Sequence, residues 1–254
     1  MSNVRTLILR APGTNCDEET AFAFQQAEAE TSLVHISQLI RREQRLEDYQ
    51  IMVIPGGFTY GDDLGAGKVL ANEIRLKLGA DIERFVESGR LILGICNGFQ
   101  VLVKAGILPG IESKQRLTLD TNDSGRFECR WVYLSTNNKS LCIFTKGIEH
   151  LYLPVAHGEG KVVADVEVLT GLDIALYYTD EHGNRQAGYP YNPNGSMENI
   201  AGICDSTGRI FALMPHPERH IRSSQHPRWS SRGAGNRGDG FRIFRNALEW
   251  VKGL

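Results

Sequence analysis

Short apolar runs of β-strand length recur along the first hundred residues, and stretches with helical character separate them. The runs cover residues 4–9, 32–36, 50–54 and 91–95, and the helical stretches between them cover 17–30, 38–48, 69–78 and 80–88. Strands that alternate with helices at this spacing are typical of right-handed βαβ units. The pattern therefore predicts an α/β protein built on a parallel sheet.

After Pro109 the pattern changes. Short strand-like segments follow one another closely, and an amphipathic helix at 240–252 ends the chain; the segments are 116–122, 128–135, 161–164, 167–169, 174–178, 200–205 and 209–214. Strands so close in sequence predict an antiparallel extension of the sheet. Residues 222–240 are rich in Ser, Arg and Gly, which predicts a mobile loop; a contact with a partner is the alternative.

The fourth apolar run leads into a turn that can expose a nucleophile. Gly94 and Gly98 stand two residues before and two residues after Cys96, and a helix pattern begins directly after the turn. Small residues at these positions allow a strand to turn sharply into a helix, with the central residue exposed above the sheet. A helix N-terminus pointing at the sulfur favours the thiolate. An inert buried cysteine in an ordinary strand–turn–helix remains the alternative.

A second motif supplies the partners that a cysteine nucleophile needs. His216-Pro217-Glu218 follows a buried strand, and Pro217 favours an extended conformation for His216. Residues two apart in an extended chain project to the same side. We therefore expect Glu218 to orient the His216 ring and to stabilise its protonated form. Alone, this motif would also suit a surface turn.

Backbone amides near both motifs can stabilise an oxyanion. One candidate is the N–H of Asn97, directly after the nucleophile, and the other is the N–H of Gly57, in the Pro-Gly-Gly turn that ends the third strand. The strands that precede Cys96 and Gly57 belong to one parallel sheet. Because ligands bind at the carboxyl ends of such strands, both residues are expected to line one crevice.

Composition restricts the class of protein further. The 254 residues are 41% hydrophobic with a net charge of −2, which gives no electrostatic reason to expect a nucleic-acid or acidic-lipid partner. No apolar run approaches membrane-spanning length, so no membrane contact is expected. The start of the chain is typical of a first strand and not of a signal peptide. Five scattered cysteines without a CxxC pair predict free thiols in the cytoplasm, with no disulfides and no metal site.

Several runs together resemble a known family. The chain is similar to the class I, triad-type glutamine amidotransferases, and within them to the glutaminase subunits of phosphoribosylformylglycinamidine synthase. The runs that carry the resemblance are APGTNCDEET at 11–20, PGGFTYGDDLGAGK at 55–68, GICNGFQ at 94–100, LPVAHGEGK at 153–161, YNPNGSMENIAGI at 191–203 and MPHPER at 214–219. GICNGFQ and MPHPER would suit many amidotransferases, whereas the NPNGS and AHGEG runs favour the purine-synthesis enzyme.

The resemblance implies a flavodoxin-like, doubly wound sheet, mostly parallel, with helices on both faces, in one amidotransferase domain spanning 1–254. It implies that Cys96 is the nucleophile, His216 the acid and base, and Glu218 the residue that orients His216. It further implies that Gln100 contacts the substrate and that His157 and Gly158 help to hold the amino-acid end of glutamine. The expected reaction is hydrolysis of glutamine to glutamate and ammonia through a thioester.

The resemblance also implies partners. No ATP site is recognisable in the sequence, so a synthetase subunit is expected to use the ammonia together with ATP and Mg²⁺, and this chain is expected to bind no cofactor. A small accessory subunit is a further expected partner. One departure from the family is visible in the glycine-rich loop, where Asp63 and Gly65 replace the usual Tyr and Arg. This departure is expected to affect contacts with the synthetase and not the triad.

Two alternatives remain at the level of sequence. The chain could serve a different amidotransferase, such as the GMP or anthranilate type, which the identity of the co-purifying synthetase would decide. It could instead be a non-catalytic relative with the same fold and a cysteine elbow. That class lacks a His-Pro-Glu run, so the presence of His216 and Glu218 argues against it.

Overall fold

A nine-stranded mixed sheet runs through the centre of the molecule, within the part of the chain that the computed structural model describes: residues 3–111, 115–231, 235 and 237–253. A separate sheet pairs β5 with β8. The strands are β1 (Arg5–Arg10), β2 (Glu30–His35), β3 (Ile51–Ile54), β4 (Leu91–Ile95), β5 (Leu117–Thr121), β6 (Glu128–Thr136), β7 (His150–His157), β8 (Glu159–Ala164), β9 (Asp173–Thr179), β10 (Ile200–Cys204) and β11 (Ile210–Leu213).

The helices connect the strands and pack against the sheet. α1 packs on β1 and β2, and α5 packs on β3 and β4. A π-helical segment, Ile74–Leu78, joins α3 to α4 without a break. The helices are α1 (Asp17–Gln26), α2 (Ile36–Ile40), α3 (Lys68–Glu73), α4 (Gly79–Glu87), α5 (Asn97–Lys104), α6 (Val166–Gly171) and α7 (Phe241–Gly253).

The strand order, β2-β1-β3-β4-β11-β10-β9-β6-β7, divides the large sheet into two halves. The strands from β2 to β11 are parallel to their neighbours, and those from β11 to β7 are joined by antiparallel pairings. The predicted α/β fold with an antiparallel extension is therefore confirmed, and the extension of the large sheet consists of β10, β9, β6 and β7. Strands β3 and β4 are buried along their full length, which explains their continuous apolar sequence.

Three local predictions were wrong. The helix expected over 38–48 ends at Ile40, because Arg42 adopts a left-handed conformation with φ 62°. The strand expected over 167–169 is helix α6; a run of three residues is too short for periodicity to distinguish the two. Strand β7 was not predicted. It contains Pro154, which is tolerated because β7 lies at the edge of the sheet.

The segment 222–240 contacts the body of the protein where it is described. The Arg222 guanidinium lies 4.7 Å from the centre of the Phe22 ring, and Arg237 Nη1 donates to Gln26 Oε1 at 3.2 Å. The mobility predicted for this loop stays a prediction, and residues 232–234 and 236 of it lie outside the described residues. Over the described part of the chain, every helix is too short or too polar to cross a bilayer.

Candidate active site

The turn between β4 and α5 holds Cys96 in a strained conformation, with φ 51° and ψ −103°. Such a backbone costs roughly 1–3 kcal/mol and is found mostly where function requires it. A Cβ added to Gly98 would lie 1.9 Å from Ile54 O, and one added to Gly94 would lie 2.6 Å from Leu102 Cδ1. The two glycines thus allow α5 to pack closely on the strands, and Cys96 stands at the carboxyl edge of the sheet.

Strand β11 brings a histidine to the same edge, because it pairs in parallel with β4. The backbone N–H of His216 donates to the backbone oxygen of Pro154 at 2.8 Å, which links the chain after β11 to β7. His216 Nδ1 and Glu218 Oε1 are 2.6 Å apart, and the two side chains are 2% and 0% exposed. The two side chains therefore lie together, as the sequence predicted.

The His216–Glu218 contact determines which ring nitrogen can react. A carboxylate only accepts hydrogen bonds, so Nδ1 of His216 carries the proton. The other nitrogen, Nε2, is buried and has no hydrogen-bond partner among the described residues, which leaves it available to exchange a proton with Cys96. Burial by itself lowers the pKa of His216, but the charges of Glu218 and Cys96 outweigh it, and the pKa lies well above the usual 6.5.

Both predicted oxyanion donors lie at this edge. Asn97 is the first residue of α5, so its N–H has no acceptor within the helix and is available to a ligand. Gly57 follows β3 and has φ 152°, and a Cβ at this position would lie 2.7 Å from Gly13 O. Only glycine can therefore occupy this position without a shift of the backbone, and Gly57 lines the same cleft as Cys96.

The Asn97 side chain ties the glycine-rich loop to the elbow. Its Oδ1 accepts from Thr59 Oγ1 at 2.7 Å, and its Nδ2 donates to Asp62 Oδ1 at 3.3 Å and to Gln100 Oε1 at 2.8 Å. Gln100 Nε2 in turn donates to Glu159 O at 2.6 Å. This network fixes Gln100, one of the expected substrate contacts, on the wall of the cleft.

His157, the second expected substrate contact, is buried and neutral. Asn122 Nδ2 donates to backbone oxygens, so its Oδ1 is the acceptor for His157 Nδ1 at 3.0 Å. Burial is the main cause that lowers the pKa of His157 to about 3, and the charge of His216 lowers it further. His157 Nε2 therefore keeps its lone pair at physiological pH, and no hydrogen-bond partner for it is found within the described residues.

Five of the eight predicted site residues meet in one cleft of about 130 Å³, whereas Asn97, His216 and Glu218 are buried and do not line it. Cys96, Gly57, Gln100, His157 and Gly158 all line it. Sequence reasoning missed several other lining residues, which are Phe58, Asp62, Ala66, Phe127, Ala156 and Glu159. All of them except Phe127 lie inside the runs 55–68 and 153–161 that carry the family resemblance, so membership of these runs was the available signal. Phe127 carried no such signal.

Two histidines that follow the triad in sequence pack within an aromatic cluster. His220 and His226 belong to an aromatic cluster with Trp131, whose ring centre lies 5.1 Å and 5.8 Å from theirs. A different trio, Cys16, His216 and Glu218, has candidate metal-ligand atoms within 4.8 Å of one another. In that trio His216 Nδ1 and Glu218 Oε1 are hydrogen-bonded to each other at 2.6 Å. The sulfur of Cys16 is hydrogen-bonded to Asn15 and Arg219, so hydrogen bonds between side chains account for the arrangement.

Comparison with known proteins agrees with this geometry. Residues 3–251 match the family model of the CobB/CobQ-like glutamine amidotransferase domain. The phosphoribosylformylglycinamidine synthase subunit PurQ of Dehalococcoides mccartyi is 61% identical over 253 residues, which cover 99% of each chain. The protein of the same name from Methanococcus maripaludis is 45% identical over 97% of each chain.

A solved structure is also similar. A chain in the structure of PurLQS from Thermotoga maritima superposes with a TM-score of 0.76 and 32% identity, over 98% of this chain and 100% of that chain. The protein therefore belongs to the CobB/CobQ-like glutamine amidotransferase family, and the family expected from its sequence motifs is confirmed. Its particular relatives are the PurQ subunits, which it matches along nearly its whole length.

Proposed function

We propose that this chain is the glutaminase subunit of a phosphoribosylformylglycinamidine synthase, and that Cys96, His216 and Glu218 hydrolyse glutamine. The observation that carries the proposal is that an elbow cysteine and the Gly57 amide line one small cleft, and that a buried His–Glu pair and the Asn97 amide lie at the same edge of the sheet. The near full-length similarity to PurQ proteins supports the choice of synthase.

The first half of the reaction forms a thioester. The Cys96 thiolate attacks the side-chain carbonyl carbon of glutamine, and the oxygen becomes negative in the tetrahedral intermediate. The N–H groups of Gly57 and Asn97 stabilise this oxygen. His216 then donates its Nε2 proton to the leaving nitrogen, the C–N bond breaks, and ammonia departs. The raised pKa of His216 keeps it protonated and able to act as this acid at neutral pH.

The second half releases the products. His216, now neutral, takes a proton from water while the water oxygen attacks the thioester carbon. The C–S bond breaks, glutamate leaves, and Cys96 is regenerated. Throughout both halves, Glu218 holds the His216 ring in the tautomer that presents Nε2 and stabilises its positive charge.

The substrate is oriented by the walls of the cleft. Gln100 contacts glutamine, and His157 and Gly158 hold its amino-acid end; His157 can only accept a hydrogen bond at Nε2, which suits an ammonium donor. The carboxyl groups of Asp62 and Glu159 also line the cleft and favour a positively charged α-amino group there. Both ends of glutamine are thus bound by the protein, and its side-chain amide lies at Cys96.

The ammonia is used by a synthetase subunit. We assign ATP and Mg²⁺ to that subunit, since the present chain has no phosphate-binding motif, and we propose that a small accessory subunit joins the complex. The exposed tip of the glycine-rich loop, with Asp63 and Leu64, faces the synthetase. Five free cysteines suit a reducing compartment, and we place the complex in the cytoplasm.

Selective loss of glutamine use tests the proposed function. In the assembled synthase, we expect Cys96→Ala to abolish synthesis with glutamine while synthesis with ammonium chloride stays at the wild-type rate. The matched control is Cys129→Ala, which removes an exposed thiol and should leave both rates unchanged. Equal loss of both activities in Cys96→Ala would contradict the assignment, as would retention of glutamine-dependent synthesis.

A further inference from the structure

A second cysteine lies inside the catalytic cluster, far from the triad in sequence. Cys16 is 1% exposed, and its N–H donates to Gly56 O at 3.1 Å. A Cβ added to Gly56 would lie 2.8 Å from His216 Cε1 and 3.2 Å from Cys16 Sγ. The sulfur and the imidazole ring therefore pack side by side over the backbone of Gly56.

The sulfur of Cys16 has two polar partners. Its thiol donates to Asn15 Oδ1 at 3.1 Å, and it accepts a hydrogen bond from Arg219 Nη2 at 3.1 Å. The same guanidinium approaches the triad acid, with Arg219 Nε 3.9 Å from Glu218 Oε1. Arg219 thus stands between two acceptors, a sulfur that it hydrogen-bonds and a carboxylate with which it forms only a long ion pair without a hydrogen bond.

The Glu218 carboxylate would be a stronger hydrogen-bond acceptor for Arg219 than the sulfur of Cys16. A planar guanidinium pairs with a carboxylate through two parallel hydrogen bonds, which is its preferred geometry. Glu218 Oε2 is buried and has no hydrogen-bond partner in the described part of the chain, so one of the two positions is open. The other position, Oε1, is the atom that accepts from His216. A bidentate pair would therefore compete with His216 for Glu218.

We propose that Cys16 is a positioning residue: its sulfur holds the Arg219 guanidinium away from Glu218, which leaves the carboxylate free to orient His216. Cys16 does not line the substrate cleft, and its sulfur packs against the His216 ring without taking part in the bond changes. Its effect reaches the chemistry through Arg219 and Glu218. This inference rests on the proposed function, because it concerns the strength of the same His–Glu pair.

The charges around His216 predict the direction in which its pKa would change if Cys16 were removed. The groups that face it are Glu218, Cys96, Cys16 and the neutral His157, with burial opposing protonation and the first three groups favouring it. A guanidinium brought onto Glu218 would cancel much of the carboxylate's charge. The pKa of His216 would then fall, and the direct loss of the Cys16 contact would act in the same direction.

The test is a double-mutant cycle on the assembled synthase, with glutaminase kcat and KM measured across pH. We expect Cys16→Ala to lower kcat by about 10- to 100-fold, the cost of a misplaced catalytic group, with the KM for glutamine nearly unchanged. Protonated His216 is the acid in thioester formation. The alkaline limb of kcat/KM, which reports its pKa in the free enzyme, should therefore move to lower pH.

Removing the Arg219 guanidinium should restore the kcat that Cys16→Ala loses. We expect Arg219→Gln alone to stay close to wild type, and Cys16→Ala combined with Arg219→Gln to regain most of the lost kcat. Cys16→Ser should retain more activity than Cys16→Ala, because a hydroxyl can also accept from Arg219. The matched control is Cys142→Ala, a buried thiol elsewhere in the core, which should leave the pH profile unchanged.

Three results would overturn the proposal: an unchanged kcat in Cys16→Ala, a loss of kcat without movement of the alkaline limb, or independent losses in the double variant. A simple folding defect in Cys16→Ala would not be rescued by Arg219→Gln, so the cycle separates it from the proposed role. If the wild-type synthase itself used ammonia but not glutamine, the proposed function would fail. Wild-type glutaminase activity with an unaffected Cys16→Ala would reject only the role of Cys16.

Discussion

The pair formed by His216 and Glu218 controls the chemistry at the scale of single residues. The Nδ1–Oε1 distance of 2.6 Å and the burial of both side chains place the negative charge of Glu218 where water cannot screen it. This charge is the main reason why a fully buried histidine keeps its proton.

Neutralising the triad acid should reduce turnover and leave substrate binding intact. We expect Glu218→Gln to lower kcat by about 10⁴-fold, the order of loss found when the acid of a triad is replaced by an amide. The KM for glutamine should change little, because Glu218 does not line the cleft. Steady-state glutaminase kinetics measure both constants. The surface variant Glu249→Gln is the control, and a Glu218→Gln enzyme with wild-type kcat would contradict the assigned role.

His157 should make the protein less stable in acid. Its pKa is lowered to about 3 in the fold and is 6.5 when unfolded, so the unfolded chain binds the extra proton first as the pH falls. Its stabilising contribution is complete above pH 6.5 and decreases as the pH falls towards 3. Between pH 7.5 and pH 5.0 the loss amounts to about 2 kcal/mol.

Urea denaturation of wild type and His157→Gln at these two pH values measures this contribution. The free energy of unfolding should fall by about 2 kcal/mol more in wild type than in the variant. His182→Gln, which removes an exposed histidine, should behave as wild type. An identical pH dependence in wild type and His157→Gln would show that folding does not lower the pKa of His157.

At the scale of elements, the contact between α5 and β3 positions the nucleophile. The Cα of Gly98 lies against Ile54 so closely that a methyl group would overlap the carbonyl oxygen at 1.9 Å. Helix α5 begins directly after Cys96, and any displacement of the helix also moves the sulfur and the Asn97 N–H. Packing of one helix on one strand thus determines the geometry of two catalytic groups.

Adding one methyl group should therefore disrupt the site. We expect Gly98→Ala to destabilise the protein by about 3 kcal/mol, the upper range for overpacking, and to reduce glutaminase activity even where the protein remains folded. Thermal denaturation and an activity assay on the folded fraction measure the two effects. Gly79→Ala is the control, because a Cβ at Gly79 would meet nothing within 4 Å in α4. Equal stability of the two variants would contradict this account of the elbow.

The sequence predicted the parallel half of the fold better than the antiparallel half. Strand β4 and the His216–Glu218 contact follow from local rules, apolar runs and a proline-restricted backbone, which act within a few residues. Strand β7 was not predicted because a strand can contain Pro154 only if it lies at the edge of the sheet, and the order of the strands is a property of the whole sheet. The placement of Cys16 beside His216 likewise depends on the turns before α1, after β3 and after β11 meeting in three dimensions, and sequence spacing gives no signal for it.

At the scale of the whole molecule, apolar side chains surround the mouth of the cleft. Phe58 is 47% exposed, Phe127 is 52% exposed, and their ring centres lie 6.3 Å apart. Leu64, on the same glycine-rich loop as Phe58, is 72% exposed. Under the proposed function ammonia would pass from this cleft to the synthetase, and we expect this apolar rim to be covered in the complex.

A charge on the rim should weaken assembly. We expect Phe127→Glu to reduce the affinity for the synthetase subunit by at least about fivefold, the loss expected when a contact residue worth more than about 1 kcal/mol is removed. Leu141→Glu is the control, a similarly exposed apolar residue that does not line the cleft. Calorimetric or surface-based binding measurements with both variants decide the matter. Unchanged affinity for Phe127→Glu would place the partner on another face.

Covalent capture of the nucleophile tests the central claim most directly. The assembled synthase would be treated with a diazo-ketone analogue of glutamine, followed by intact-mass analysis and peptide mapping. We predict one adduct on this chain, located on Cys96, formed more slowly in Glu218→Gln and prevented by excess glutamine. An adduct on Cys129 or another cysteine, or labelling that glutamine does not prevent, would contradict the claim that Cys96 attacks glutamine.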